Sequence, residues 1–368
     1  MKKNKNVGLY VHVPFCAQKC AYCDFYSHSD TKTIDAYTDA LISNINKLSP
    51  MLSEYSVDTV FFGGGTPSLL GHERFSKICK AISSSLTIDK NLEFTVEVNP
   101  ATVNAELANS FDKNGVNRVS IGLQSSDERE LKALSRIHTF DDFKRTYALI
   151  SDNVTDNISV DIMYGIPHQN IASLTKTLND VLALSPMHIS AYGLKIEPNT
   201  PFGRMGDSLI LPTDDQQAQM YKLICTQLEI FGYHRYEISN FSKQNMECRH
   251  NLKYWNREEY IGIGPSAYSF FNGYRFSTVR SIKDYISHFD GKPIKIIDEK
   301  RILSDTDVFN ESIMLGLRLE KGIVPDENTL RRSKYYIDNG FMQINGDRLS
   351  FTTEGFLVSN YILSDLID

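Results

Sequence analysis

Cysteine is scarce in this chain, with six in 368 residues, and three of the six fall within eight positions. That is too few and too uneven for a disulfide framework and points to a metal site in a reducing compartment. Long apolar runs are missing as well. None approaches the roughly 18 residues that a membrane span needs, so a soluble protein is expected. The opening "MKKNKNVGLYVHVPF" has a basic lead, but His12 and Pro14 interrupt its short apolar part and no small-residue cleavage site follows. A secretory signal is therefore not expected, and the cytoplasm is the expected location. Positive charge is not in excess either. The net charge is -6, which removes any general electrostatic reason to bind nucleic acid. There is one tryptophan and no low-complexity stretch.

What is present is a regular alternation. β-rich runs at 8–14, 59–65, 92–100, 118–125, 158–167 and 188–198 are separated by amphipathic segments at 34–48, 72–86, 102–114, 140–151 and 171–184, with a sixth at 214–231. Six β-then-α units predict an α/β fold with a parallel sheet and outer helices, curved into a partial (β/α)6 barrel because eight units are not present. The chemistry of such a fold belongs at the C-terminal ends of its strands, where Cys16, Gly63 to Thr66, Glu97 and Gln124 fall. Three divisions are expected: a core over 1–232, a β-rich extension over 233–300 with an Asn272-Gly273 hairpin, and a small winged-helix-like α+β tail over 301–368. The tail is read as helix 305–319, helix 326–339, a hairpin turning at Asn345-Gly346 and a last helix 353–366. It carries seven Lys or Arg against eleven Asp or Glu, which disfavours DNA binding.

The segment "CAQKCAYCDF", residues 16–25, spaces its cysteines as C-x3-C-x2-C. Closely spaced thiolates on one loop can converge on a soft or borderline metal. Cys16, Cys20 and Cys23 could hold three irons of a [4Fe-4S] cluster with the fourth iron open, or join a histidine such as His28 in a Cys3His zinc site. The spacing favours the cluster. The next strand ends in "FFGGGTPS", whose glycines allow either a tight βα turn or the close approach of a ligand to the backbone. A closed zinc site has no use for the second.

Together these motifs resemble the radical S-adenosylmethionine (SAM) superfamily. Across nearly the whole chain, "LYVHVPFC", "FFGGGTPSLL", "VEVNP", "SIGLQS", "LSRIH" and "DIMYGIP" resemble its coproporphyrinogen oxidase-like branch. The resemblance implies that SAM chelates the open iron and that an electron from the cluster can cleave its sulfonium to methionine and a 5'-deoxyadenosyl radical. It implies that Tyr10 touches SAM, that Gly64, Gly65 and Thr66 hold its amino group, and that Glu97, Gln124, Arg136 and Asp161 line the rest of its site. Those residue types suit the roles, since oxygens accept from ribose hydroxyls and an arginine forks onto a carboxylate. Read without the resemblance, Glu97 and Asp161 could equally be satisfied core carboxylates, and Arg136 could be a surface ion-pair partner.

Within the branch, the porphyrinogen-oxidising members carry a fourth cysteine where this chain has Phe25. An aromatic there resembles the sister group of HemW-like heme chaperones. "HNLKYW", residues 250–255, resembles that group's H-N-x-x-Y-W heme motif, which implies His250 as a heme ligand beside Tyr254 and Trp255. Cys248 is a weaker alternative, and a satisfied histidine with a core Tyr-Trp pair is the bland one. Tyr268 in "SAYS" (266–269) stands where relatives have histidine, so a second axial ligand there is not expected. The chain also starts almost at its first strand, without the oxidase's N-terminal extension.

The resemblance thus implies a heme chaperone with a [4Fe-4S] cluster, SAM and heme, lacking coproporphyrinogen oxidase activity. It would pass heme to acceptor hemoproteins, respiratory ones among them. A flavodoxin-type protein would be its electron donor, although no residue marks one. Oxygen-independent coproporphyrinogen III oxidase is the enzyme alternative, and a zinc-stabilised protein without radical chemistry is the third.

Overall fold

The computed structural model describes residues 5–367, so the basic lead at 1–4 and the outermost limits of the expected divisions lie outside the described residues. Among the described residues no helix is long and apolar enough to cross a membrane. The first two-thirds follow the alternation closely: β1 (Lys5–Val13), α1 (Ile34–Leu48), β2 (Tyr55–Gly64), α2 (Gly71–Ser85), β3 (Ile88–Val98), α3 (Ala105–Lys113), β4 (Arg118–Gln124), α4 (Glu128–Ala133), α5 (Phe140–Asn153), β5 (Ile158–Tyr164), α6 (Ile171–Leu182), β6 (His188–Gly193), α7 (Pro201–Met205) and α8 (Asp214–Ile230). Strands β1 to β6 pair in parallel, in chain order. Helices cover the outside of such a sheet and side chains fill its inside, so its strands are buried on both faces and read as near-continuous apolar runs. All seven residues of β4 are buried. The helices present one apolar stripe inward, as Ile34, Tyr37, Leu41, Ile45 and Leu48 do on α1. Capping boxes at Thr139/Asp142, Asn170/Ser173 and Thr213/Gln216 fix where α5, α6 and α8 begin.

The rest of the chain is β7 (His234–Arg235), β8 (Asn240–Ser242), α9 (Arg249–Trp255), β9 (Tyr260–Ile263), β10 (Tyr268–Phe271), β11 (Tyr274–Thr278), α10 (Ile282–Phe289), β12 (Ile297–Ile302), α11 (Asp305–Gly316), α12 (Glu327–Asp338), β13 (Met342–Asn345), β14 (Arg348–Phe351), α13 (Thr353–Leu357) and α14 (Ser359–Leu366). The sheet does not stop at the six units. It runs β12-β11-β10-β9-β1-β2-β3-β4-β5-β6-β8-β7, with β9 parallel to β1 and the outer strands antiparallel. Strands β10 and β11 turn at Asn272 and Gly273, both at positive φ, as the sequence predicts.

Three details differ from the sequence reading. Asn345 pairs with Arg348, so the second hairpin turns at Gly346-Asp347, one residue later than expected. The last helix breaks at Val358 into α13 and α14. Helices α4, α7, α9 and α10 were not anticipated. The tail elements enclose an apolar core of their own, centred on Leu317, Leu349, Phe351 and Ile362, and Tyr221 of α8 packs into it.

Candidate functional site

The loop after β1 crosses the end of the barrel and carries the three cysteines, all of them free. Its path is fixed by the glycine run of β2. Gly65 N donates to Val13 O (2.8 Å) and Thr66 N to Phe15 O (2.6 Å). A Cβ on Gly65 would lie 2.5 Å from Phe15 O. Gly64 sits at φ +107° with the His12 ring 2.6 Å from where a Cβ would be. The glycines are therefore required first by close packing of two chain segments, and only their inner side borders open space. His28 takes no part in the site. Its backbone bridges to Pro14 and Cys16, while its exposed ring packs edge-on against Tyr26.

Cys16, Cys20 and Cys23 line one side of a cavity of about 530 Å³, whose other walls include Gly64, Gly65, Thr66, Glu97, Gln124, Arg136 and Asp161. The fold thus brings together every residue expected at the SAM site except Tyr10. Phe25 lies at the mouth and is 68% exposed. A relay of polar side chains ties the thiols together. Arg136 Nη1 donates to Cys20 Sγ (3.5 Å) and Nη2 to Asn99 Oδ1 (2.9 Å) and Gly122 O (2.6 Å). Asn99 Nδ2 donates to Thr66 Oγ1 (2.8 Å), which donates to Cys16 Sγ (3.7 Å). Arg136 Nε is buried without a partner. Burial pushes the Cys23 thiol up to about 11, with Cys20 and Cys16 adding to the shift. Among the described residues no three His, Cys, Asp or Glu side chains already stand at metal-ligand distances. The donor set is three thiols on one wall, with an arginine and a hydroxyl pointing hydrogens at two of them. Such donors suit thiolates bound to a soft metal.

Across the cavity, Glu97 Oε2 accepts from Gly64 N (3.2 Å). Burial, with the neighbouring Asp161 adding to it, pushes the Glu97 carboxyl up to about 8. Asp161 is raised by burial too, although Ser120 Oγ donates to both its oxygens (3.0 Å each). Two crowded carboxyls at the end of the sheet, one of them holding its proton, form a wall that suits a cationic ligand or one rich in hydroxyl groups. Gln124 adopts φ +72° at a register shift in β4. A strained backbone at a strand end is the kind of feature that a ligand site maintains.

Beneath this cavity is a second chamber of about 250 Å³, which shares Glu97, Ser120, Asp161 and Tyr192 with it. Tyr10 lines this deeper space, and its hydroxyl bonds His12 Nδ1 (3.1 Å). Tyr254 and Asn251 of α9 also line it. The helix α9 carries the "HNLKYW" motif and is anchored to the N-terminal halves of the strands. Glu93 of β3 accepts from Arg249 N (2.8 Å) and His250 N (2.9 Å), a cap supplied from another element. Lys253, 3% exposed, pairs with Asp58 (2.9 Å) and Glu258 (3.3 Å). His250 is fully buried: Nδ1 bonds Thr59 Oγ1 (2.7 Å) and Nε2 bonds Tyr254 Oη (2.8 Å). Burial, helped by Lys253, pushes this imidazole down to about 3. Both ring nitrogens of His250 are engaged in this conformation, so ligation of iron by this residue would need Thr59 or Tyr254 to give way. Cys248 fares no better, since burial pushes its thiol up to about 12.

Comparison with other proteins places this geometry. Residues 10–181 match the profile of the Radical SAM superfamily. The chain is 33% identical to "Heme chaperone HemW" of Buchnera aphidicola subsp. Schizaphis graminum, with 100% of both chains covered, and 34% identical to the Bacillus subtilis protein of that name over 85% of this chain and 84% of the other. It belongs to the radical SAM superfamily, in the HemW-like branch. The solved structure of Escherichia coli coproporphyrinogen III oxidase, described as a radical SAM enzyme, has the same fold, with a TM-score of 0.86 over 99% of this chain and 90% of that one at 19% identity.

For a HemW-like chain, sequence reasoning left two site residues unnamed. Asn99 joins Arg136 to Thr66, and its place just before Pro100 at the end of β3 was the available signal. Tyr192, at the end of β6, borders both chambers, and nothing in its local pattern distinguishes it.

Proposed function

We propose that this protein is a heme chaperone that carries a [4Fe-4S] cluster and SAM, binds heme, and hands it to acceptor hemoproteins in the cytoplasm, respiratory ones among them. The observation that carries the reading is end-to-end similarity to proteins named as heme chaperones, supported by Phe25 where a fourth cysteine would stand. In this reading Cys16, Cys20 and Cys23 hold the cluster, and Thr66 and Arg136 stabilise two of the thiolates through the bonds above. When bound, the cluster supplies a one-electron reductant beside the SAM sulfonium, and a flavodoxin-type protein is the donor we favour. Gly64, Gly65 and Thr66 border the place for the methionyl amino group, while Glu97, Asp161 and Gln124 offer oxygens to ribose hydroxyls. The raised Glu97 carboxyl keeps its proton near neutrality, so it can donate as well as accept. Tyr10 stands one layer deeper, closing the chamber on the far side of Glu97.

The test is anaerobic purification with iron, sulfide and heme measured on one sample, then incubation of the reduced protein with SAM and coproporphyrinogen. We expect iron and sulfide in equal amounts that vanish in Cys16→Ser, stoichiometric heme uptake, and no decarboxylation. Steady conversion to protoporphyrinogen would overturn the reading in favour of an oxidase.

A further inference from the structure

Strand β4 carries one charged group into the barrel that the thiol cavity does not use. Successive side chains of a strand point to opposite faces. Ser120 points inward, where it donates to Asp161, so Arg118, two residues nearer the start of the strand, shares its inner face. Arg118 is 2% exposed and lines the deeper chamber of about 250 Å³, but not the thiol cavity above it. Its Nε is buried without a partner, and among the described residues its guanidinium makes no hydrogen bond or ion pair. The carboxylates that act on it, Glu93 and Asp161, do so through space. Glu93 accepts from Arg249 N and His250 N at the start of α9, and Asp161 accepts from Ser120. A buried cation with no acceptor in contact is costly, and such groups are found paired.

We propose that the deeper chamber binds a small monocarboxylate, of the size of formate or acetate, whose two oxygens accept from the Arg118 guanidinium. The walls select this class. A guanidinium is a planar fork of donors that matches the two oxygens of a carboxylate. Ser190 of β6 and Asn251 of α9 line the same space and carry further donors. The volume falls below the roughly 300–1,000 Å³ of ordinary ligand pockets, so the occupant is small. Glu97 and Asp161 border the chamber as well, so a dianion such as phosphate would meet added repulsion. Water could fill the space and accept hydrogen bonds, but it would leave the positive charge without a counterion in contact. The site does not depend on the chaperone reading, and its failure would leave that reading untouched.

The experiment titrates full-length, cluster-loaded protein with sodium acetate and with sodium formate at constant ionic strength, and with phosphate as the dianion control. Binding is read by saturation-transfer NMR of the acetate methyl and formate protons and by the shift of the unfolding midpoint. Saturable binding of both monocarboxylates is expected, at least tenfold tighter than phosphate and unchanged by SAM. Arg118→Lys keeps the charge, loses the fork, and is expected to weaken both at least tenfold. Asn251→Asp leaves Arg118 in place, puts a competing carboxylate on the chamber wall, and is expected to weaken both by a similar factor, which decides the matter if Arg118→Lys does not fold. No saturable binding by the wild type would mean that water alone fills the chamber and would overturn the proposal. Wild-type affinity in a folded variant of either kind would overturn it too. Displacement by SAM would overturn it by showing that the guanidinium serves the ligand of the upper cavity.

Discussion

The two ends of the barrel treat charge in opposite ways. At the floor, opposite charges are matched: Lys253 and Asp58 form a buried pair and Glu93 caps α9. At the mouth, like groups are crowded: Glu97 faces Asp161, and three thiols share one wall. The floor pairs its buried lysine and caps its helix start without a ligand, whereas the mouth crowds acids and thiols that a bound cation or metal centre would relieve. Seen this way, the "HNLKYW" segment belongs to the part of the fold that holds the barrel shut. Its histidine has both ring nitrogens engaged, one by β2 and one within α9.

The contrast breaks most visibly at the floor. Lys253→Ala leaves buried Asp58 with only the longer Arg249 contact at 3.6 Å, and losing one partner of a buried pair costs up to about 3–5 kcal/mol. Denaturant unfolding should show that loss, and a variant as stable as wild type would mean the floor is not tightly closed. His250→Ala comes next. It leaves Thr59 and Tyr254 without their ring partners, a cost of about 1–3 kcal/mol. Heme bound per folded molecule is expected to stay at the wild-type level. A variant that folds normally and loses heme would return the ligand role to His250 and require α9 to swing out.

Much of this was legible because it is local. The strand ends, the cysteine spacing and the Asn272-Gly273 turn each follow from residues a few positions apart. The role of α9 does not. The helix has seven residues and no side-chain cap of its own, and its N-terminus is satisfied by Glu93, more than 150 positions away in the chain. No periodicity signals a helix whose start is supplied by another element. The burial of His250 was hidden for the same reason, because Thr59 reaches its ring only after β2 and α9 are packed. Arg136 was legible as a residue of this cavity, but its bonds were not. Its guanidinium spans Cys20, Asn99 and Gly122, groups from three separate stretches of the chain.

The mouth yields the most specific effect, a change in the pH dependence of stability. Glu97 ionises near 4.5 when unfolded and near 8 in the folded chain. Its folded form therefore holds a proton that the unfolded chain releases over that interval, and the stabilisation it contributes is full below about pH 4.5 and lost as pH rises through about 8. Glu97→Gln removes the titration, so its unfolding midpoint should match wild type at low pH and exceed it at pH 8, with Asp161 no longer facing a second charge. Adding SAM to the cluster-loaded wild type should narrow the gap, because a bound sulfonium offsets the same repulsion. If the two proteins lose stability in parallel between pH 5 and 8, the acids at the mouth are not in conflict, and the distinction between a satisfied floor and an unsatisfied mouth loses its electrostatic basis.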